Sequence, residues 1–269
     1  MPQIKSLFDP SKNIYRTIEK VITYNASQEV RLKAEITEYI VTENIEEQFE
    51  LLLTKMQLAM DSGGENEIGV WVSGFYGSGK SSFTKYLGLA LDQSVQIEGT
   101  PFLNYLQDRM NKPQTRALLA AVARRFPASV ILLDLASEML AGATMEEVST
   151  VLYYKVLQWA GYSRNLKVAA FERRLKKDHR YDEFTDRIQQ DLGVPWKDVQ
   201  NDPLVIDSLI PEIAHDMYPQ LFKTPNAFNT EATDFIVFEN ERVKEMINIA
   251  REASGREYII FIIDEVGVS

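Results

Sequence analysis

The sequence predicts an α/β fold, a parallel sheet core carrying a helical insertion, and three observations predict it. Residues 74–81 read Gly74-Phe75-Tyr76-Gly77-Ser78-Gly79-Lys80-Ser81, the G-x-x-x-x-G-K-S spacing that wraps a backbone around a polyphosphate. Residues 258–263 are six apolar side chains, mostly β-branched or aromatic, followed by Asp264 and Glu265. That is the composition of a buried strand with carboxylates at its end. Residues 130–134, Val-Ile-Leu-Leu-Asp, repeat the pattern, but Leu135 follows Asp134 where Glu265 follows Asp264. They read as an intervening core strand. Together these features predict a P-loop NTPase core of the AAA+/ASCE-like kind, with residues 74–81 as Walker A and Asp264-Glu265 as the end of Walker B.

Residues 1–38 form an amino-terminal extension. Asp9-Pro10-Ser11 marks a turn, and the alternation of charged and apolar residues over 29–36 predicts a half-exposed strand. The first part of the core spans 39–135. Asn44 with Glu47 three residues on predicts a helix start, and Ile45, Phe49, Leu52, Leu53, Met56 and Met60 make the apolar stripe of the helix that follows. Residues 68–72, Ile-Gly-Val-Trp-Val, predict a buried strand running into the glycine loop. After the loop, Phe83, Leu87, Ala90 and Leu91 share one helical face. Strand, loop and helix thus fall in the order a phosphate loop requires. Residues 136–250 predict a mainly helical insertion. Thr144 and Glu147 form a capping-box pattern, and further helices are expected over 165–178, 180–192, 203–222 and 239–252, with Pro195, Pro203 and Pro225 between them. The core resumes over 251–269 with the Walker B strand. The expectation is a fold truncated after that strand, part of a longer protein. Trp71, Trp159 and Trp196 are scattered and expected to be packed.

Each residue of the loop answers a need of a bound nucleotide. Gly74, Gly77 and Gly79 let the backbone turn its N–H groups inward, with Phe75, Tyr76 and Ser78 between them, and the amides of Ser81 and Ser82 open the next helix toward the same phosphates. Lys80 would set its ammonium on the β- and γ-phosphates, and Ser81 would offer its hydroxyl to Mg²⁺. Asp264 would hold the same Mg²⁺, and Glu265 would polarise the attacking water. Ligands of open parallel sheets sit at the carboxyl ends of strands, so Ser81 and Asp264 can meet at one metal. The cofactors expected are therefore ATP and Mg²⁺. Tyr39, Ile40 and Val41 have two readings. In many AAA+ and related ATPases a short apolar segment before such a helix lines the adenine pocket; the other reading is plain core.

Composition sets limits. With 269 residues, 45% of them apolar, the chain can bury a substantial core. A net charge of −10 argues against an overall electrostatic footprint for nucleic acid. Only a local basic stretch, Arg164, Lys167, Arg173, Arg174, Lys176, Lys177 and Arg180, could meet DNA; the alternative is a solvated helix face. There are no cysteines and only two histidines, His179 and His215, which excludes disulfides and thiolate metal sites. No apolar run is long enough to span a bilayer. A cytoplasmic protein with no membrane partner is expected.

The strings flanking these motifs carry a resemblance. The segments Leu7-Phe8-Asp9-Pro10-Ser11-Lys12, Glu38-Tyr39-Ile40-Val41-Thr42-Glu43-Asn44 and Val70-Trp71-Val72-Ser73 leading into the loop resemble the amino-terminal region of the BrxC family, the large P-loop ATPases of BREX bacteriophage-resistance systems. The resemblance covers about the first ninety residues and returns at Phe261-Ile262-Ile263-Asp264-Glu265. It implies an ATPase that works with other BREX-type defence proteins, including a DNA methyltransferase, and that forms a homo-oligomer when full length. Family members are far longer, and the sensor residue, arginine finger and lid expected of them have no candidates here. Two further readings stand beside the ATPase: a nucleotide-gated scaffold that orders a defence assembly without turnover, and a small-molecule kinase, which the Asp264-Glu265 pair disfavours.

Overall fold

The computed structural model describes residues 29–62, 69–75, 77–134, 148–231 and 239–264. Residues 1–28, the 144–147 capping box, Ile68, Tyr76 and Glu265 lie outside the described residues.

The first described element corrects the sequence expectation. Residues 29–36 do not form a strand; α1 is a helix over Glu29–Glu38. Leu32 and Ile36 fit an alternating pattern and a helical i,i+4 pattern equally, and here both are buried on one helical face while Val30 stays in solvent. Arg31 pairs with Glu35 at 3.2 Å in the same i,i+4 spacing, which supports the helix. The next helix, α2 (Glu43–Asp61), starts two residues earlier than Asn44 implied: Thr42 is its cap, accepting the Ile45 N–H at 3.3 Å. Its Phe49 stacks on Phe83 at 4.3 Å between ring centroids, binding it to the helix after the glycine loop, α3 (Lys80–Leu91).

A small hairpin, β1 (Gln96–Ile97) with β2 (Thr100–Pro101), leads into α4 (Phe102–Gln107) and α5 (Pro113–Arg125). No side chain of α5 caps its own amino end. The buried Glu46 carboxylate of α2 reaches across instead and accepts the Lys112 N–H at 2.6 Å, placing negative charge at the positive end of the helix dipole.

The sheet consists of β3 (Ala128–Asp134) and β4 (Tyr258–Asp264), parallel and in register from Ala128 opposite Tyr258 to Asp134 opposite Asp264. The intervening-strand reading of residues 130–134 holds in this respect: the two strands are direct neighbours. Leu132, Tyr258 and Ile260 pack against the cluster that gathers α1 to α5. Ile131, Leu133, Ile259, Phe261 and Ile263 pack the other way, against α6 (Val148–Trp159) and α12 (Glu239–Ser254). A strand pair with helices over both faces must be apolar on both sides, which explains why neither strand alternates.

Between α6 and α12 the chain makes a helical unit with its own core: α7 (Leu166–Lys177), α8 (Tyr181–Leu192), α9 (Trp196–Val199), a π-helical turn (Val205–Leu209) running into α10 (Ile210–Met217), and α11 (Pro225–Glu231). Phe171 is its centre, meeting Phe184, Tyr218, Phe222 and Phe228 with ring centroids 5.6–6.4 Å apart. Beside it Glu172 is fully buried. Its carboxylate accepts the Trp196 indole N–H at 2.7 Å, the Ser163 N–H at 2.8 Å and the Tyr181 hydroxyl at 3.4 Å. Burial pushes the Glu172 carboxyl up, and these donors hold it back. The helix expected over 203–222 differs in two ways, both caused by proline. Pro211 has no N–H to give and would crowd the carbonyl four residues back, and the π turn lies directly before it, with the Ile210 N–H bonded to the Val205 carbonyl. Pro219 disfavours helical backbone at Tyr218, and the helix ends at Met217.

The strand expected over 68–72 is not formed in the described part. Residues 69–75 make no strand pairing, and Trp71, expected to be packed, is 74% exposed. Trp196 is buried as expected, and Trp159 lies partly open.

Candidate functional site

The glycine loop closes on itself. Gly77 and Gly79 adopt φ of +77° and +86°, the left-handed region that favours glycine. Gly79 is also the cap residue of α3, and no side chain caps that helix, so its first amides are left to a ligand or water. Gly74 is closely approached in another way: a Cβ there would come within 2.9 Å of the Ser78 hydroxyl oxygen, which would have to turn away. The Lys80 ammonium donates to the Gly74 carbonyl at 2.9 Å and the Phe75 carbonyl at 3.0 Å. The Phe75 carbonyl also accepts the Ser78 N–H at 3.1 Å. Gly74, Phe75, Ser78 and Lys80 are thus brought together, with a cation in the loop. The Phe75 side chain stands 91% exposed. Ser81 and Ser82 occupy the first turn of α3, which the Thr84 hydroxyl braces by bonding the Lys80 and Ser81 carbonyls, each at 3.2 Å.

The direction of α3 places this loop on the sheet. Asp92, just past the carboxyl end of α3, forms a parallel bridge to Ala128, the first residue of β3, and its side chain accepts the Val130 N–H at 3.0 Å. The carboxyl end of the helix is therefore anchored at the amino end of the strand. Further along, α3 lies so close to the sheet that a Cβ on Gly88 would overlap Ile262 Cδ1 and stand 3.1 Å from Val130 Cγ1. From the Asp92–Ala128 bridge α3 rises about 18 Å back to Lys80, while β3 rises about 20 Å to Asp134. Lys80 and the loop accordingly stand toward the carboxyl edge of the sheet, the edge on which Asp134 and Asp264 are paired in register.

Tyr39, Ile40 and Val41 divide. Tyr39 packs edge-on against Tyr86 of α3, ring centroids 4.7 Å apart. Burial raises its phenol to about 12, and its hydroxyl has no hydrogen-bond partner among the described residues. Val41 is buried, and its carbonyl accepts from Asn111 at 3.4 Å. Ile40 is exposed. The segment lies beside the second half of α3, two turns from the loop, with Tyr39 and Val41 turned into the core.

The basic stretch is largely spent within the protein. Arg173 pairs with Glu245 of α12, Arg174 with Asp178 at 2.6 Å, and Arg180 with Glu183 at 2.8 Å and with the Met217 carbonyl. Lys176 lies over the Tyr162 and Tyr181 rings at 4.1 and 5.0 Å, and Lys167 donates to the Asn229 carbonyl. No helix among the described residues is long and apolar enough to cross a membrane.

The sequence could not show that α3 runs antiparallel to β3 with its end fixed by Asp92. The signal available was Asp92 itself, a carboxylate just after the helix, but a carboxylate there is equally common in an exposed turn. No protein-family model matches the chain, and no solved structure matches it.

Proposed function

We propose that the chain is the nucleotide-binding part of an ATPase, with Mg·ATP held between the glycine loop and the end of β4. The observation that carries this reading is the setting of α3, which puts the loop toward the same edge of the sheet as Asp264. The loop fits the phosphates: Gly74 leaves room at its entrance, the first amides of α3 lack a side-chain cap, and the Lys80 ammonium is already aimed into the loop. In the bound state Lys80 exchanges the Gly74 and Phe75 carbonyls for phosphate oxygens, a stronger acceptor for an ammonium. Gly74, Phe75, Tyr76, Gly77, Ser78 and Gly79 wrap the phosphates, and the Ser81 and Ser82 amides meet them from the helix. Ser81 and Asp264 would hold Mg²⁺, which would supply positive charge beside the γ-phosphate. Glu265, next in the chain, orients the water. The likeness of the flanking strings to the BrxC family supports a place for the whole protein in a BREX-type phage-defence assembly, acting with the other proteins of that system.

Lys80→Ala tests the core of this reading. Loss of one charge-assisted contact is worth about 1.5–3 kcal/mol, so titration with a fluorescent ATP analogue is expected to show binding weakened at least ~10-fold. Unaltered affinity with an unaltered fold would remove the loop from the site.

A further inference from the structure

We propose that the amino end of α5 holds a buried ligand site between Glu46 and Thr115. Its ligand is one small neutral hydrogen-bond donor, a water molecule, which fastens α2 to α5. The site is separate from the proposed nucleotide site and does not depend on it.

Two buried glutamates in this chain are served differently. Glu172 accepts three donors, shared over both of its oxygens. Glu46 is 1% exposed, and only its Oε1 is served, by the Lys112 N–H. Its Oε2 is buried with no partner among the described residues. A carboxylate oxygen taken out of water without a donor is strongly disfavoured, so this one calls for a donor. The cations of the same turn are engaged elsewhere. The Lys112 ammonium lies 3.6 Å from Glu47, and the Arg116 guanidinium donates to the Met110 carbonyl at 2.8 Å.

Thr115 supplies the other wall. Lys112 is the cap residue of α5, so Pro113, Gln114 and Thr115 make its first turn. A side chain at the third position of a helix reaches back toward the N–H of the cap residue, which here is the N–H that Glu46 holds. Thr115 is completely buried, and its hydroxyl has no partner among the described residues either. The amides of a first turn have no carbonyl of their own helix to bond. A carboxylate oxygen, a hydroxyl and a helix amino end therefore meet in one dry corner between α2 and α5. The charges there select the ligand. The positive end of the α5 dipole disfavours a metal cation, and the Glu46 carboxylate disfavours an anion. Water satisfies both walls: it donates to Glu46 Oε2 and accepts from Thr115, the two or more polar partners that a buried water needs.

A crystal structure of the whole chain that shows ordered water, paired with urea denaturation, tests this. The expected result is one water within hydrogen-bond distance of both Glu46 Oε2 and Thr115 Oγ1, and one denaturation midpoint in sodium, potassium and choline chloride at equal ionic strength. Thr115→Val keeps the shape and removes the hydroxyl. It is expected to lose the water and to shift the folding equilibrium at least ~5-fold toward the unfolded state, whereas Thr115→Ser keeps the water. A direct Glu46–Thr115 hydrogen bond, or another side chain on Glu46 Oε2, overturns the proposal. A midpoint that rises with one alkali cation means that an ion fills the site, and also overturns it. So does a Thr115→Val chain as stable as the natural one.

Discussion

Two glycines show how single residues set this arrangement. Glycine inside a helix ordinarily costs about 1 kcal/mol relative to alanine, so Gly88→Ala looks stabilising on propensity alone. At this position the added methyl meets Ile262 and Val130, and overpacking of that kind costs about 1–3 kcal/mol. The expected outcome in urea denaturation is a net loss of stability; a gain would mean that α3 does not approach the sheet as described. Gly74 is the counterpart in the loop, where a Cβ would meet the Ser78 hydroxyl. Tyr39 offers a test of sign with pH. Its phenol is raised to about 12 by burial, above the ordinary value of about 10, so the folded chain keeps that proton longer than the unfolded one. Its contribution to stability is full below pH 10 and falls as pH rises from 10 to 12. Tyr39→Phe is expected to flatten that part of the pH–stability curve. At neutral pH it should cost almost nothing, because the hydroxyl it deletes has no partner.

At the scale of elements, legibility followed how many patterns a stretch could satisfy. The strand 130–134 and the strand before Asp264 were readable because long apolar runs rich in Ile and Val fit little else. Helices α7 and α8 were placed within a residue or two because their apolar positions recur at helical spacing between clear breaks. Residues 29–36 misled because Leu32 and Ile36 satisfy periods of both two and nearly four; pairing of Glu35 with Arg31 and Lys85 favours the helix, and only the second partner is distant. The strand expected over 68–72 needs a neighbour, and a neighbour is a tertiary fact that strand propensity does not carry. The separate core of the helical unit was equally invisible, since it depends on Phe171 gathering rings from four later positions. Phe171→Ala is expected to destabilise that unit by about 3–5 kcal/mol, measured by denaturation followed by circular dichroism. A loss below 1 kcal/mol would contradict its central place.

For the whole molecule, the decisive relation is between parts far apart in sequence. The helical unit lies in the chain between β3 and β4, so the two aspartate-ended strands are neighbours in space although far apart in sequence. α3, anchored through Asp92, carries the glycine loop toward the same edge. On the proposed function, residues 74–82 and Asp264 form one metal-dependent site. Titration of ATP into the chain with and without Mg²⁺, repeated for Asp264→Asn, tests this most directly. The account predicts that Mg²⁺ tightens ATP binding in the natural chain and that Asp264→Asn removes most of that gain while metal-free binding persists. A Mg²⁺ effect of equal size in the variant would contradict it.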